Sequence, residues 1–103
     1  MAVVELFRAL GDASRLEMIR RLSSGDVFTI NSLSEGLDIT RQGARKHLQI
    51  LADAQLVTLV PKGRGTNIQM NREMLDQGRA FIADLEHRWD IRLEALRRFV
   101  DNE

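Results

Sequence analysis

Residues 72–101 read as one uninterrupted amphipathic helix, and no other stretch restricts the fold as much. Leu75, Ile82, Trp89 and Leu96 recur at heptad spacing, with Gly78, Leu85 and Phe99 beside them and Arg92 breaking the seam. Phe81, Leu93 and Val100 widen the apolar stripe. At 1.5 Å per residue such a helix is about 45 Å long, whereas a compact globule of about 100 residues is about 26 Å across. Part of it must project or pack on something else. A second copy is the economical partner, because the stripe is broader than one small domain covers. Ile82, Leu85, Trp89, Leu96 and Phe99 are therefore expected at a homodimer seam. Trp89 fits a buried interface aromatic better than the wall of a ligand pocket.

The rest of the composition narrows the class. A chain of 103 residues, 44% hydrophobic and 29% charged, is sized and composed as one globular domain, 1–103. Cysteine is absent, which excludes disulfides, thiolate metal sites, cysteine nucleophiles and thiol redox sensing. No apolar run reaches the roughly 18 residues of a membrane span. Glu5 and Arg8 interrupt what would be a signal-peptide core, so a cytoplasmic, unprocessed protein is expected. Gly63-Arg64-Gly65-Thr66 lacks the lysine placement of a phosphate-binding loop, and no Ser–His–Asp order is supported by a motif. Catalysis is accordingly not expected. Met1, Met18, Met70 and Met74 are placed for core or terminus rather than for a thioether metal box.

Net charge is zero, but its distribution is uneven. Residues 1–40 sum to −2 and residues 67–103 to −2. Between them, Arg41, Arg45, Lys46, Lys62 and Arg64 stand against Asp53 alone, for +4. A basic block inside a neutral chain is the footprint of phosphate binding.

Local patterns place that block. Val3, Val4, Leu6, Phe7 and Leu10 have helical spacing over residues 2–10, and Gly11 ends that helix. Asp12 caps a second helix to about Ser23, with Leu16, Ile19 and Leu22 inward and Glu17, Arg20 and Arg21 outward. Ser23 to Asp26 is a turn, and Val27 to Ile30 is short and β-prone. Asn31 or Ser32 then starts a helix of one or two turns with Leu33 and Leu37 inward. Thr40 caps a helix from Arg41 to about Ala54 with Ala44, Leu48 and Leu51 inward. Its outward residues, Arg41, Gln42, Arg45, Lys46 and Gln49, are long hydrogen-bonding side chains with no acid among them. Leu56 to Pro61 reads as a strand, Lys62 to Thr66 as a turn whose two glycines permit positive φ, and Asn67 to Met70 as the return strand.

A short helix, a turn, a polar helix and a basic hairpin make a mainly α winged helix-turn-helix, with about five helices and a two-stranded wing. An α-helix fits the major groove, where arginine pairs with guanine and glutamine with adenine. Thr40, Arg41, Gln42, Arg45, Lys46 and Gln49 are therefore the candidate DNA contacts of helix 40–54. Lys62 and Arg64 are those of the wing, 62–66, on phosphates or in the minor groove. A winged helix used for protein interaction is the alternative. It would expose aromatic or aliphatic residues on this face, and none are there. RNA binding would want aromatic platforms, but Phe7, Phe28, Phe81, Trp89 and Phe99 all lie elsewhere.

The ordered set Asp12-Ala13-Ser14-Arg15-Leu16, Leu22, Thr40-Arg41-Gln42-Gly43-Ala44-Arg45-Lys46-His47-Leu48, Leu51-Ala52-Asp53-Ala54-Gln55-Leu56-Val57 and Gly63-Arg64 resembles the ArsR-type family of bacterial winged-helix repressors. The match runs from Leu6 to about Met70. The resemblance implies a homodimeric repressor on an operator, with residues 1–71 as DNA-binding core and 72–101 as dimerisation helix. It also implies that the first and last helices form the interface, which adds Leu6 to the dimer contacts. Metal-sensing members carry a Cys-x-Cys pair where this chain has Thr29 and Asn31, so that sensor is not expected here. Asp84, His87 and Asp90 share a face of the last helix, but one histidine supplies few nitrogen ligands for zinc or nickel. No metal, cofactor or membrane partner is expected, and no effector is assigned. His47 is expected to pack or bridge at the base of the recognition helix. Gly43, which costs about 1 kcal/mol against alanine in a helix, fits close approach to DNA or simple tolerance near a helix start.

Overall fold

The computed structural model describes residues 2–102; Met1 and Glu103 lie outside the described residues. Its elements run α1 (Ala2–Leu10), α2 (Ala13–Leu22), α3 (Ile30–Ser34), α4 (Arg41–Asp53), β1 (Val57–Lys62), β2 (Gly65–Met70) and α5 (Arg72–Asp101).

Helix starts are fixed by side chains that accept otherwise orphaned backbone N–H groups. Asp12 accepts from Arg15, Thr40 from Gly43 and Asn71 from Glu73. Thr29 and Ser32 cap reciprocally at α3. The capping residue there is thus Thr29, and α3 begins at Ile30, one residue before the earlier expected start. At Gly43 a Cβ would lie 3.1 Å from the Thr40 hydroxyl oxygen, inside ordinary contact. The glycine leaves room for the cap itself, a reason closer to hand than DNA approach.

The end of α4 is a Schellman motif. Leu56 N–H donates to the Leu51 carbonyl and Gln55 N–H to that of Ala52, both at 2.9 Å. Gln55 takes φ 63°, a left-handed position that usually falls to glycine. Asn71 Nδ2 secures it by donating to the Gln55 carbonyl at 2.8 Å. Leu51 and Leu56, the apolar pair of the motif, are both fully buried.

The core is built from one face of each helix. Leu6 of α1, Met18 and Leu22 of α2, Leu33 of α3, Leu48 and Leu51 of α4, Leu56, and Ile68 of β2 are fully buried. Each such side chain contributes about 1.5–3 kcal/mol by leaving water. Ala44 completes the inward face of α4 as expected, and that packing turns Arg41, Gln42, Arg45, Lys46 and Gln49 outward. Leu16 departs from expectation: it is 55% exposed, and Met18 takes the inward place. The buried stripe of α2 is centred on Met18, Ile19 and Leu22, which puts Leu16 well round the helix.

The hairpin pairs antiparallel from Val57↔Met70 to Lys62↔Gly65, leaving Gly63 and Arg64 as a two-residue turn, tighter than the five residues expected. Gly63 has φ 60°, as the first position of a II′ turn requires. It alone of the two wing glycines has positive φ. Phe28 exchanges backbone hydrogen bonds with Ile68, so the β-prone segment before α3 adds a single bridge to β2.

Only the first turns of α5 belong to this core. Met74 and Gly78 are buried, and a Cβ on Gly78 would stand 3.2–3.3 Å from the Leu6 methyls. Leu6 is 1% exposed. It seats α5 from within the protomer, and this corrects its expected place among the exposed dimer contacts. Gly78 likewise faces α1 rather than a seam. Phe7 and Phe81 extend the contact with ring centroids 5.9 Å apart. From Arg79 onward every described residue of α5 is exposed, and the molecule measures 70 × 25 × 24 Å.

Candidate nucleic-acid interface

The N-terminal half of α4 and the wing open onto one cleft. Arg41 and Arg45 of α4 and Arg64 of the turn line it, together with Thr29, Ile30 and Asn31 at the start of α3 and Gly65 and Thr66 of β2. Its volume is about 250 Å³. No carboxylate lines it, and among the described residues none of the three arginines makes an ion pair. Unpaired guanidiniums, hydroxyls and an amide converging on an open cleft suit nucleic acid, whose phosphate oxygens and base edges both accept hydrogen bonds.

Helix and wing residues thus form one surface rather than two separate arms. Arg45 also lies beside Leu59 and Thr66 of the hairpin, so it leans toward the wing. Gln42 and Lys46 are exposed on α4, and Lys62 is exposed where β1 ends. Thr40 keeps its hydroxyl on the Gly43 N–H at 2.9 Å, which makes it first a cap. Gln49 is held differently. Its amide donates to Asp53 Oδ1 at 2.8 Å, so the acid-free face closes with a carboxylate one turn beyond. Thr29, Asn31 and Thr66 were not among the contacts expected from sequence. Their signal was only polarity next to a helix start and a glycine turn.

Behind this face a polar cluster joins α4 to the rest of the protomer. Arg15 Nε donates to the Ala9 carbonyl at 2.6 Å, and its Nη1 lies 3.1 Å from His47 Nδ1. Asp12 Oδ2 accepts from the Arg15 N–H at 3.1 Å and stands 3.8 Å from the same ring nitrogen. That backbone hydrogen bond, helped by the charge of Arg15, holds the Asp12 carboxyl below the usual range. His47 therefore bridges at the base of the helix, as expected. On the far side of α2, Glu17 is pulled to a pKa of about 2, first by the Arg20 side chain and then by Arg21. Arg21 in turn donates to the carbonyls of Leu33 and Glu35 at 2.9 and 2.6 Å, tying α2 to the end of α3.

The expected dimer contacts divide. Ile82, Leu85, Trp89, Leu96 and Phe99 are exposed along one stripe of α5, at 45–66%. Val4 and Phe7, rather than Leu6, are the large apolar residues that α1 leaves exposed beside it. Ile91 is exposed on the opposite face. Asp84 is paired with Arg88 at 3.1 Å, and no group of three potential metal ligands stands together among the described residues. No helix is long and apolar enough to cross a membrane.

This geometry, a three-helix core presenting a polar helix beside a two-stranded basic wing, defines a winged helix-turn-helix DNA-binding protein. The helix-turn-helix domain family matches residues 10–60. The chain is 38% identical over 76 residues to the HTH-type transcriptional regulator YuzN of Bacillus subtilis (strain 168), covering 68% of this chain and 83% of that protein. It is 34% identical over 67 residues to the arsenical resistance operon repressor of the same organism, covering 65% and 64% respectively. An ArsR-like transcriptional regulator from Rhodococcus sp. RHA1 superposes with a TM-score of 0.81 at 28% identity, over 95% of this chain and 92% of that one. The chain belongs to the ArsR-type winged helix-turn-helix transcriptional regulators, a family of DNA-binding proteins rather than of enzymes.

Proposed function

We propose that this regulator is a homodimeric repressor that places α4 in the major groove of an operator and its wing on the flanking backbone. The single observation that carries the reading is the acid-free cleft in which Arg41 and Arg45 of α4 meet Arg64 of the wing. Gln42 and Arg45 read base edges, and Lys46 and Gln49 lie further along the same face. Arg41, Lys62 and Arg64 hold phosphates, with Thr40 fixing the start of the helix. Residues 1–71 form the DNA-binding core and residues 72–101 the dimerisation helix. Dimerisation is supported by the exposed stripe of Ile82, Leu85, Trp89, Leu96 and Phe99, flanked by Val4 and Phe7 of α1. A two-fold partner would cover that stripe and set two recognition helices on successive half-sites. The protein acts in the cytoplasm, where its DNA is.

Fluorescence anisotropy with the DNA upstream of its own coding sequence, against random duplex of equal length, tests the reading. Preferential binding with a steep dependence on salt is the expected result. Equal or negligible binding to both duplexes would overturn it and favour a winged helix that binds protein.

A further inference from the structure

Helix α4 meets α1 and α2 through an apolar face and one polar cluster, and the chemistry of that cluster is restrictive. A guanidinium only donates hydrogen bonds. The 3.1 Å contact between Arg15 Nη1 and His47 Nδ1 is therefore a hydrogen bond only while Nδ1 is unprotonated, with the ring proton on Nε2. The same guanidinium holds the Ala9 carbonyl at the end of α1, the helix whose Leu6 seats α5 against Gly78. Arg15 thus links the platform of α1 and α5 to the recognition helix through one neutral imidazole.

We infer that Arg15 and His47 are positioning residues: a clamp that fixes the angle of the recognition helix on the α1–α5 platform and opens when the imidazole is protonated. The inference rests on the proposed role of α4 as the DNA-reading helix. In the protonated ring Nδ1–H faces a second cation and a second donor, while the Asp12 carboxylate, 3.8 Å away, becomes the available acceptor. The ring consequently has two partners for two charge states, Arg15 when neutral and Asp12 when charged. Among the described residues the charged groups that face it are these two, the cap of α2 and a residue of its first turn; α1 contributes the Ala9 carbonyl. Glu5 and Arg8 of α1 lie farther along α4, beside Ile50 and Asp53, and pair with each other at 3.3 Å.

His47→Asn is the informative variant. An asparagine Oδ1 accepts from Arg15 much as Nδ1 does, and it does not titrate across the histidine range. Operator and random-duplex affinities of the full chain would be measured from about pH 8 to about pH 5.5, the interval over which imidazoles change charge, at constant ionic strength. The ratio of the two affinities cancels the general gain in attraction that an added proton brings. That ratio should fall about tenfold per protomer for the wild type on acidification, the scale of one lost hydrogen bond to a charged group, and about a hundredfold for a dimer that loses both. His47→Asn should match the wild type at pH 8 and stay flat, and His47→Ala should be low throughout. His87→Gln, on the exposed part of α5, should leave the profile unchanged.

In the free protein, 15N NMR should show an unprotonated Nδ1 at high pH. Its titration should move amide resonances of α4. Identical profiles for wild type and His47→Asn, or a ring that titrates without shifting α4, would overturn the clamp. A chain whose α4 resonances follow the ring, yet which never prefers the operator, would instead refute the DNA-reading role of α4.

Discussion

Arg64→Ala gives the most quantitative test of how the wing meets DNA. Arg64 is the second residue of a two-residue turn, is exposed, and makes no ion pair among the described residues. Gly63 supplies the positive φ, so alanine at position 64 leaves the hairpin register intact. The change removes charge and little else. Each neutralised phosphate contributes about −0.9 to the slope of log affinity against log salt. A dimer lays down two wings, so the slope should flatten by about 1.8, against about 0.9 for a monomer. The same relation makes each lost contact worth about fivefold in affinity near 0.15 M salt, or about thirtyfold for the pair. Anisotropy titrations at four or five salt concentrations, on operator and on random duplex, give both numbers. Both duplexes should weaken alike, because phosphates carry no sequence. An unchanged slope would take Arg64 off the backbone, and a loss confined to the operator would place it on base edges.

Other substitutions separate the remaining roles. Gln42→Ala and Arg45→Ala should each weaken operator binding by about 1–3 kcal/mol and relax preference at particular base pairs, seen by competition with single-base operator variants. Ile82→Asp, in the middle of the exposed stripe, should dissociate the dimer; a variant that still sediments as a dimer would move the interface elsewhere. Gln55→Gly should raise stability by about 0.5–1 kcal/mol, since a non-glycine left-handed residue costs about 1–2 kcal/mol and glycine's added chain entropy offsets part of that. Thermal unfolding should then shift upward by a few degrees. The Glu17 carboxyl is depressed from its ordinary 4.5 to about 2, so the folded state prefers it ionised. Its contribution is present above about pH 4.5 and is lost as pH falls toward 2. Glu17→Gln should make the melting temperature less sensitive to pH across that window, by a small margin because its partner Arg20 is largely solvated.

Most of the fold was legible because its signals are local. Asp12, Thr40 and the heptads of residues 72–101 each announce an element through caps or periodicity. Outward polarity on α4 was equally readable, since it is the complement of Ala44, Leu48 and Leu51. What escaped depends on three-dimensional contact. Leu6 and Gly78 are far apart in the chain, and only their meeting reveals that the start of α5 belongs to the protomer. Leu16 misled because it shares i, i+3 and i+6 spacing with Ile19 and Leu22, and spacing alone does not fix the rotation of α2, whose buried face is centred toward Met18. The cleft shared by α3, α4 and the wing has no sequence signature, because Thr29, Arg45 and Arg64 come together only after the hairpin folds back. Gln55 was hidden for a related reason: its left-handed backbone is enforced by Asn71, sixteen residues away.

The long exposed reach of α5 bears on how much of the regulator a cell must make. Beyond Phe81 every described residue of this helix is exposed, and in proteins most helical stability comes from packing an amphipathic face rather than from propensity. On the dimeric reading, the folded distal helix and the paired DNA reader arise together, through one encounter between two chains. The supply of reader then rises more steeply than the supply of chain. Repression becomes a threshold in abundance: modest dilution, as at cell growth or division, would release the operator more sharply than a monomeric reader could.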